Sequence, residues 1–482
     1  MDETKHIVLA KTKAPEKEKK EYKDETPKEV RGRMAEMPVK KLMLSMGIPM
    51  ILSMMLQALY NIVDSAFVAN IEGVGEQALN ALTLAFPIQM LMVAVSIGTG
   101  VGVNALLSRS LGQGDRKRAS LAAGNGLFLA TVIYIIFLLF AFVGVGPYLR
   151  TQSGNAQILE MANQYLLVCC SLSFGIIYFS IFEKVLQGTG RSLYSTIAQV
   201  SGAIANIILD PVMIFGLLGF PKMGVTGAAL ATVVGQILSL VIALTFHLRL
   251  DKEIDNGLCF MKPSRRIIGQ IYSIGLPAII SQALMSFMTY FLNIIFVGIG
   301  ENVVTAYGLY YKIQQFILFA AFGLRDAITP IVSYSYGMGS KPRIKDGISW
   351  GMRYTLTIMT AGFAALELFA GPIAGVFGLS GETEKLCIAA IRIISFSFWF
   401  AGANVAFQGI FQALECGMES LVISVCRQLL FVLPVAYALT RVIAAGSAPA
   451  SLVWITFPIA EGASCLIAYL LMRRVNRKRE LA

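Results

Sequence analysis

The chain is poor in the residues that most chemistry at protein sites uses. Only 14% of its 482 residues are charged, only two are histidine, and its seven cysteines form no ligand spacing. His6 and His247 lie far apart in the sequence, so no metal or nucleophile constellation can be assembled on histidine. Most of the cysteines, the adjacent Cys169 and Cys170 included, fall within apolar runs and read as small apolar residues rather than a disulfide or redox pair. Gly98, Gly100 and Gly102 superficially imitate a phosphate loop, but no strand precedes them and they lie in an apolar run, which favours close helix packing. Enzyme chemistry and cofactor binding have no foothold here, and no signal-peptide core with a small-residue cleavage site stands at the N-terminus. The formal net charge of +11 lacks the interleaved aromatics and exposed basic face that nucleic-acid binding requires.

Hydrocarbon is what the chain does have. It is 56% hydrophobic with a mean hydropathy of +0.67, and its apolar runs of about 20 to 30 residues are long enough to cross a bilayer as helices. In order they predict twelve spans: 41–68, 77–107, 121–147, 158–186, 193–216, 225–249, 267–298, 303–336, 345–377, 386–413, 420–441 and 449–472. The fold class expected is an all-α polytopic membrane protein. Residues 1–38, with alternating Lys and Glu and few large apolar side chains, read as a disordered cytoplasmic tail. With the N-terminus inside, the inner loops, Lys184 and Arg191 among them, carry about 14 Lys and Arg against about 4 outside, which places both termini in the cytoplasm. The basic segment 474–482 follows the same bias and faces anionic lipid.

The two halves repeat at a spacing of about 225 residues. Gly47-Ile-Pro49 returns as Gly275-Leu-Pro277, Phe67-Val68 as Phe296-Val297, and Gly112-Gln-Gly114 as Gly337-Met-Gly339. An N-lobe at 39–250 and a C-lobe at 267–473, joined by a cytoplasmic loop at 251–266, therefore each hold six spans. Their even number relates the lobes by a pseudo-two-fold axis along the membrane normal. The cleft between two such lobes suits alternating access. Pro49 and Pro277, at matched positions near the starts of their spans, are candidate bend sites.

Ionisable and amide side chains inside apolar spans are costly and mark function. Asp64 lies 23 residues along the first span from Lys41, or about 34 Å, and Asp210 lies 19 residues along the fifth from Arg191, or about 28 Å. The two spans rise in parallel, so both carboxylates belong at one depth in the outer half. Asn206 sits one turn below Asp210 on the same face, and Pro211 frees a backbone carbonyl nearby. Such oxygens suit a hard cation such as Na+, and two close carboxylates equally suit a proton. Lys312, Arg325 and Asp326 in the eighth span, with Glu461 in the twelfth, are candidate polar residues of the C-lobe cleft or of a structural network. Glu183 with Lys184, and Glu367, Arg392, Arg353 and Arg427, lie near span ends and read as snorkelling or locally paired.

As an ordered set, Gly47-Ile-Pro49, Tyr60-Asn-Ile-Val-Asp64, Ser110-Leu-Gly-Gln-Gly-Asp115, Gln187-Gly-Thr-Gly-Arg191, Asn206-Ile-Ile-Leu-Asp210-Pro211 and Gly224-Val-Thr-Gly-Ala-Ala-Leu-Ala-Thr232 resemble the multidrug and toxic compound extrusion (MATE) family over residues 41–475. The resemblance implies an H+- or Na+-coupled antiporter that exports lipophilic, often cationic, small molecules across the plasma membrane, as a monomer and without a cofactor. Similarity to its DinF-like branch implies an N-lobe ion site at Asp64, Asn206 and Asp210, with Thr232 assisting. The NorM-like branch carries acids in the seventh and tenth spans where this chain has Met285 and Asn404, so coupling is expected in the N-lobe. A lipid-linked oligosaccharide flippase with a cationic cleft, and a membrane receptor or channel, are the alternative functions.

Overall fold

The computed structural model describes residues 32–152, 154–376 and 381–479. Among them every regular element is helical. The N-lobe comprises α1 (Val39–Ala69), α2 (Gly75–Gly112), α3 (Arg116–Val143), α4 (Ala156–Ser171) with α5 (Phe174–Gly188), α6 (Ser192–Phe215) and α7 (Val225–Leu250). The C-lobe repeats this pattern with α8 (Arg265–Val297), α9 (Glu301–Gly337), α10 (Lys341–Val376), α11 (Gly381–Ser395) with α12 (Phe398–Ala413), α13 (Gly417–Val425) with α14 (Val432–Ala444), and α15 (Thr456–Lys478).

Ten of these segments are long and apolar enough to cross a membrane unbroken, or nearly so, and two more are bent pairs. The bends fall at equivalent places of the repeat, 45° between α4 and α5 and 53° between α11 and α12. At the second bend the Ser395 and Ser397 hydroxyls donate to the Arg392 and Ile394 carbonyls, at 2.8 and 2.7 Å, which gives the last turn of α11 partners as the ladder breaks. With each bent pair counted as one span, the described residues hold twelve spans, six in each lobe. α1 and α8 pass through Pro49 and Pro277 as continuous helices.

The lobes meet through the C-terminal halves of α2 and α9 and the N-terminal half of α8. Ser333 on α9 donates to the Ala105 carbonyl of α2 at 2.7 Å, Arg118 reaches Gln270 at 3.2 Å, and Arg109 is ion-paired with Glu415. Glycine permits the closest approach: a Cβ on Gly102 would stand 2.1 Å from the Ile271 carbonyl oxygen. The glycines of α2 are packing residues, as expected. Met43, Met46 and Met50 of α1 share one core cluster with Leu324, Ile328 and Ile331 of α9. The outer halves of α8 and α9 pack within their own lobe, around Leu292, Phe296, Tyr307 and Trp454.

Two terminal expectations meet the described residues in part. The end of the N-terminal segment is ordered: Gly32–Glu36 form a π-helical turn, Met34 is buried, and Arg343 donates to the Met34 and Met37 carbonyls at 2.6 and 3.1 Å. Residues 1–31 and the disorder expected of them lie outside the described residues. At the C-terminus α15 continues to Lys478 and Arg479 donates to the Tyr336 hydroxyl at 2.5 Å, while residues 480–482 lie outside.

Candidate functional site

The N-lobe polar cluster is built by α1, α6 and α7, which pack side by side. One rung fixes their register: Ser53 of α1 is hydrogen-bonded to Gln199 of α6, whose amide donates to Gln57 at 3.0 Å. Farther along the same helices, Asn206 donates to Asp210 Oδ1 at 3.2 Å and to Thr232 Oγ1 of α7 at 3.4 Å. Asp210 is fully buried and Asn206 is 2% exposed, and Asp64 of α1 is half-buried.

Three oxygens of this cluster, Asp64 Oδ1, Asn206 Oδ1 and Asp210 Oδ2, are buried with no hydrogen-bond partner. Buried acceptors are seldom left so, since each costs about 1–3 kcal/mol. Pro211 has no N–H to offer the Ile207 carbonyl, which adds a backbone acceptor beside Asn206. The donor set is all oxygen, with two carboxylates. Among the described residues no group of three or more His, Cys, Asp or Glu gathers as a transition-metal site would. Such a set suits a proton or a hard monovalent cation. Tyr60, Gln57 and Gln199 complete this neighbourhood, and only Tyr60 was visible beforehand, inside the Tyr60-to-Asp64 motif.

The charged residues at the inner end differ from the expectation of snorkelling. Lys184 is 2% exposed, and its Nζ makes a 2.6 Å ion pair with Asp326 Oδ2 of α9 in the other lobe. Arg325 holds the other oxygen of Asp326 at 2.9 Å. Glu183 is buried too and accepts from Gln187 at 3.0 Å, while Lys184 donates to Gln187 at 3.0 Å. Neighbours in sequence suggested local pairing, whereas the partner of Lys184 comes from 142 residues away. A side chain counted among the inner-loop cations thus closes the cleft floor.

Arg427 is likewise not a snorkelling residue. It sits in the π-helical turn Cys426–Leu430 between α13 and α14, 7% exposed, with its Nη2 at 2.8 Å from Glu461 of α15. Asn404 donates to the same carboxylate at 2.8 Å. Asp326 and Glu461 are therefore both members of buried ion pairs, and Lys312 is exposed on α9.

The inter-lobe loop is tied to the N-lobe. Asp251 accepts from Arg191 at 2.8 Å and from Thr189 at 2.7 Å and lies 2.8 Å from His247 Nδ1, and Arg191 also pairs with Glu253. Burial works against the Arg191 guanidinium, but Glu253 and Asp251 outweigh it and hold its pKa above the ordinary value.

Comparison with known proteins follows the same division into lobes. The MatE family profile matches residues 49–212 and again 277–438, one match in each lobe. The chain belongs to the MATE family. It is 23% identical over 439 residues to the multidrug export protein MepA of Staphylococcus aureus (strain bovine RF122 / ET3-1), covering 91% of this chain and 95% of that protein. Among solved structures it resembles an outward-facing multidrug resistance MATE transporter of the MOP superfamily, with TM-score 0.86 and 26% identity, covering 93% of this chain and 98% of the other. A MATE protein solved in complex with MaL6 gives the same TM-score and identity over 95% of this chain and 99% of that one. This MATE protein is accordingly a multi-pass membrane transporter and not an enzyme.

Proposed function

We propose that this MATE protein is a monomeric, cation-coupled antiporter of the plasma membrane, with both termini cytoplasmic, which exports lipophilic and often cationic organic compounds. The observation that carries the coupling is the set of three unpartnered buried oxygens on Asp64, Asn206 and Asp210. A cation supplied from outside, H+ or Na+, gives those oxygens the partner the protein withholds. Thr232 supports Asn206 from α7. Asp64, Asn206, Asp210 and Thr232 are the residues that the DinF-like resemblance implies for the ion site.

The cycle follows from charge and packing. With the ion absent, two carboxylates in low dielectric repel, which favours a state in which α1 and α6 hold them apart. Ion binding removes that repulsion and draws α1 toward α6 and α7, with Pro49, and Pro277 in the other lobe, as the points where a continuous helix bends. The cation displaces the organic compound to the outside, and the floor at Lys184 and Asp326 then opens to release the ion inward and admit the next compound. Protein side chains and the ion suffice for this cycle. The relatives whose names include multidrug export support the cargo class.

Purified protein in liposomes, loaded with a panel of fluorescent dyes and driven by an imposed H+ or Na+ gradient, tests this reading. Transport should stop when the gradient is collapsed. Flux that ignores both gradients contradicts antiport and favours the flippase or channel alternatives.

A further inference from the structure

A cavity of about 500 Å³, including its part open to solvent, lies between the lobes and is lined mainly by the C-lobe. Its apolar wall includes Met285, Phe322 and Ile97. The charged residues of its lining are Arg325 and Arg427, and no carboxylate lines it. Around them stand amides, among them Gln282, Gln408 and Gln428. The acids that balance the two arginines lie behind them: Asp326 spends one oxygen on Arg325 and the other on Lys184, and Glu461 is held by Arg427 and Asn404.

Each guanidinium also keeps donors to spare. Arg325 uses Nε and Nη2 on Asp326, and Arg427 uses Nε and Nη2 on Glu461. The Nη1 group of each has no protein partner among the described residues. The π-helical turn Cys426–Leu430 sets Arg427 and Gln428 on this wall, and turns of that kind recur at functional sites. Arg325 also lies over the Phe322 ring at 5.0 Å, which keeps its plane beside the apolar wall.

We infer that this C-lobe cavity binds the anionic headgroup, carboxylate or phosphate, of an amphiphile whose apolar body lies against Met285 and Phe322. Two guanidinium groups and neighbouring amides line the one cavity with hydrogen-bond donors of the kind such oxyanions take, and the acids that might repel the ligand are already engaged. The inference rests on reading the chain as an exporter with its coupling acids in the N-lobe. It adds an anionic or zwitterionic class to the cargo of that cleft.

The test is equilibrium binding to the full chain in lipid nanodiscs, without any gradient, using four probes that share a naphthalene body: 2-naphthoate, naphthyl phosphate, methyl 2-naphthoate and a naphthylmethyl trimethylammonium salt. The two anions should bind at least about tenfold tighter than the ester and the ammonium, the scale of one charge-assisted hydrogen bond. Arg325→Gln should abolish most of that preference, with Asp326 still paired to Lys184. If Arg325→Gln does not fold, Arg427→Lys, which keeps the charge that balances Glu461 but removes the planar fork, should reduce the preference instead. Phosphate above carboxylate assigns a phosphate-bearing lipid headgroup, and the reverse assigns an organic acid. Equal or weaker binding of both anions relative to the ester, or a preference that survives the substitution, overturns the inference. Failure of the coupling reading would appear in gradient-driven flux and leave these affinities where they are.

Discussion

Asp326 is the side chain on which most of the buried charge turns, since it faces Lys184 from one lobe and Arg325 from its own helix. Asp326→Asn leaves the buried Lys184 and the part-buried Arg325 without their shared counter-charge and should lower stability by about 3–5 kcal/mol, the range for a broken buried pair. Lys184→Met combined with Asp326→Asn should recover part of that loss, because fewer charges remain unmatched. Thermal melting in nanodiscs reads both, and a double variant less stable than the sum of the singles would contradict the pairing. Asn206→Ala acts differently, removing one unpartnered oxygen and the bonds to Asp210 and Thr232. It should weaken the ion dependence of transport roughly tenfold or more while leaving melting within about 1 kcal/mol, a split seen by comparing flux at varied ion concentration with thermal stability.

Individual helices explain how far the sequence could be read. Span ends were legible to within a few residues because hydrocarbon length dictates them, and Asp64, Asn206 and Asp210 stood out because polarity in such segments is costly. The Asn206 and Asp210 pairing was also legible, since a separation of four residues places them on one helix face. The partners of Lys184 and Arg427 were not, because they come from helices far away in sequence, and neither span-end position nor a neighbouring acid such as Glu183 reports on them. The π-helical turn that carries Arg427 has no signature in the periodicity either. At the contact between α2 and α8, a Cβ on Gly102 meets backbone rather than a flexible side chain. Gly102→Leu should therefore force these helices apart, abolish transport and lower stability by several kcal/mol, whereas Gly114→Ala, at an open turn of positive φ, should cost only about 1 kcal/mol. Equal losses at the two sites would refute the close-packing role.

The whole molecule is a pair of repeats that differ in their buried polar groups. One lobe holds unpartnered oxygens over two carboxylates, and the other holds arginines whose acids are already paired. Alternating access requires the inner contacts to part, so a covalent link across them should stop the cycle. Ala105→Cys with Ser333→Cys, at the 2.7 Å inter-lobe hydrogen bond and in a background free of the seven native cysteines, should lose transport on oxidation and regain it on reduction. Turnover at full rate with the link closed would show that the inner seam does not open. The central claim, however, is that an ion enters at Asp64 and Asp210, and the most direct measurement is gradient-driven dye flux in liposomes for the wild type, Asp64→Asn and Asp210→Asn at matched protein insertion. Both variants should lose their response to the imposed H+ or Na+ gradient. Transport by both at wild-type rates, still driven by the gradient, would contradict the assignment.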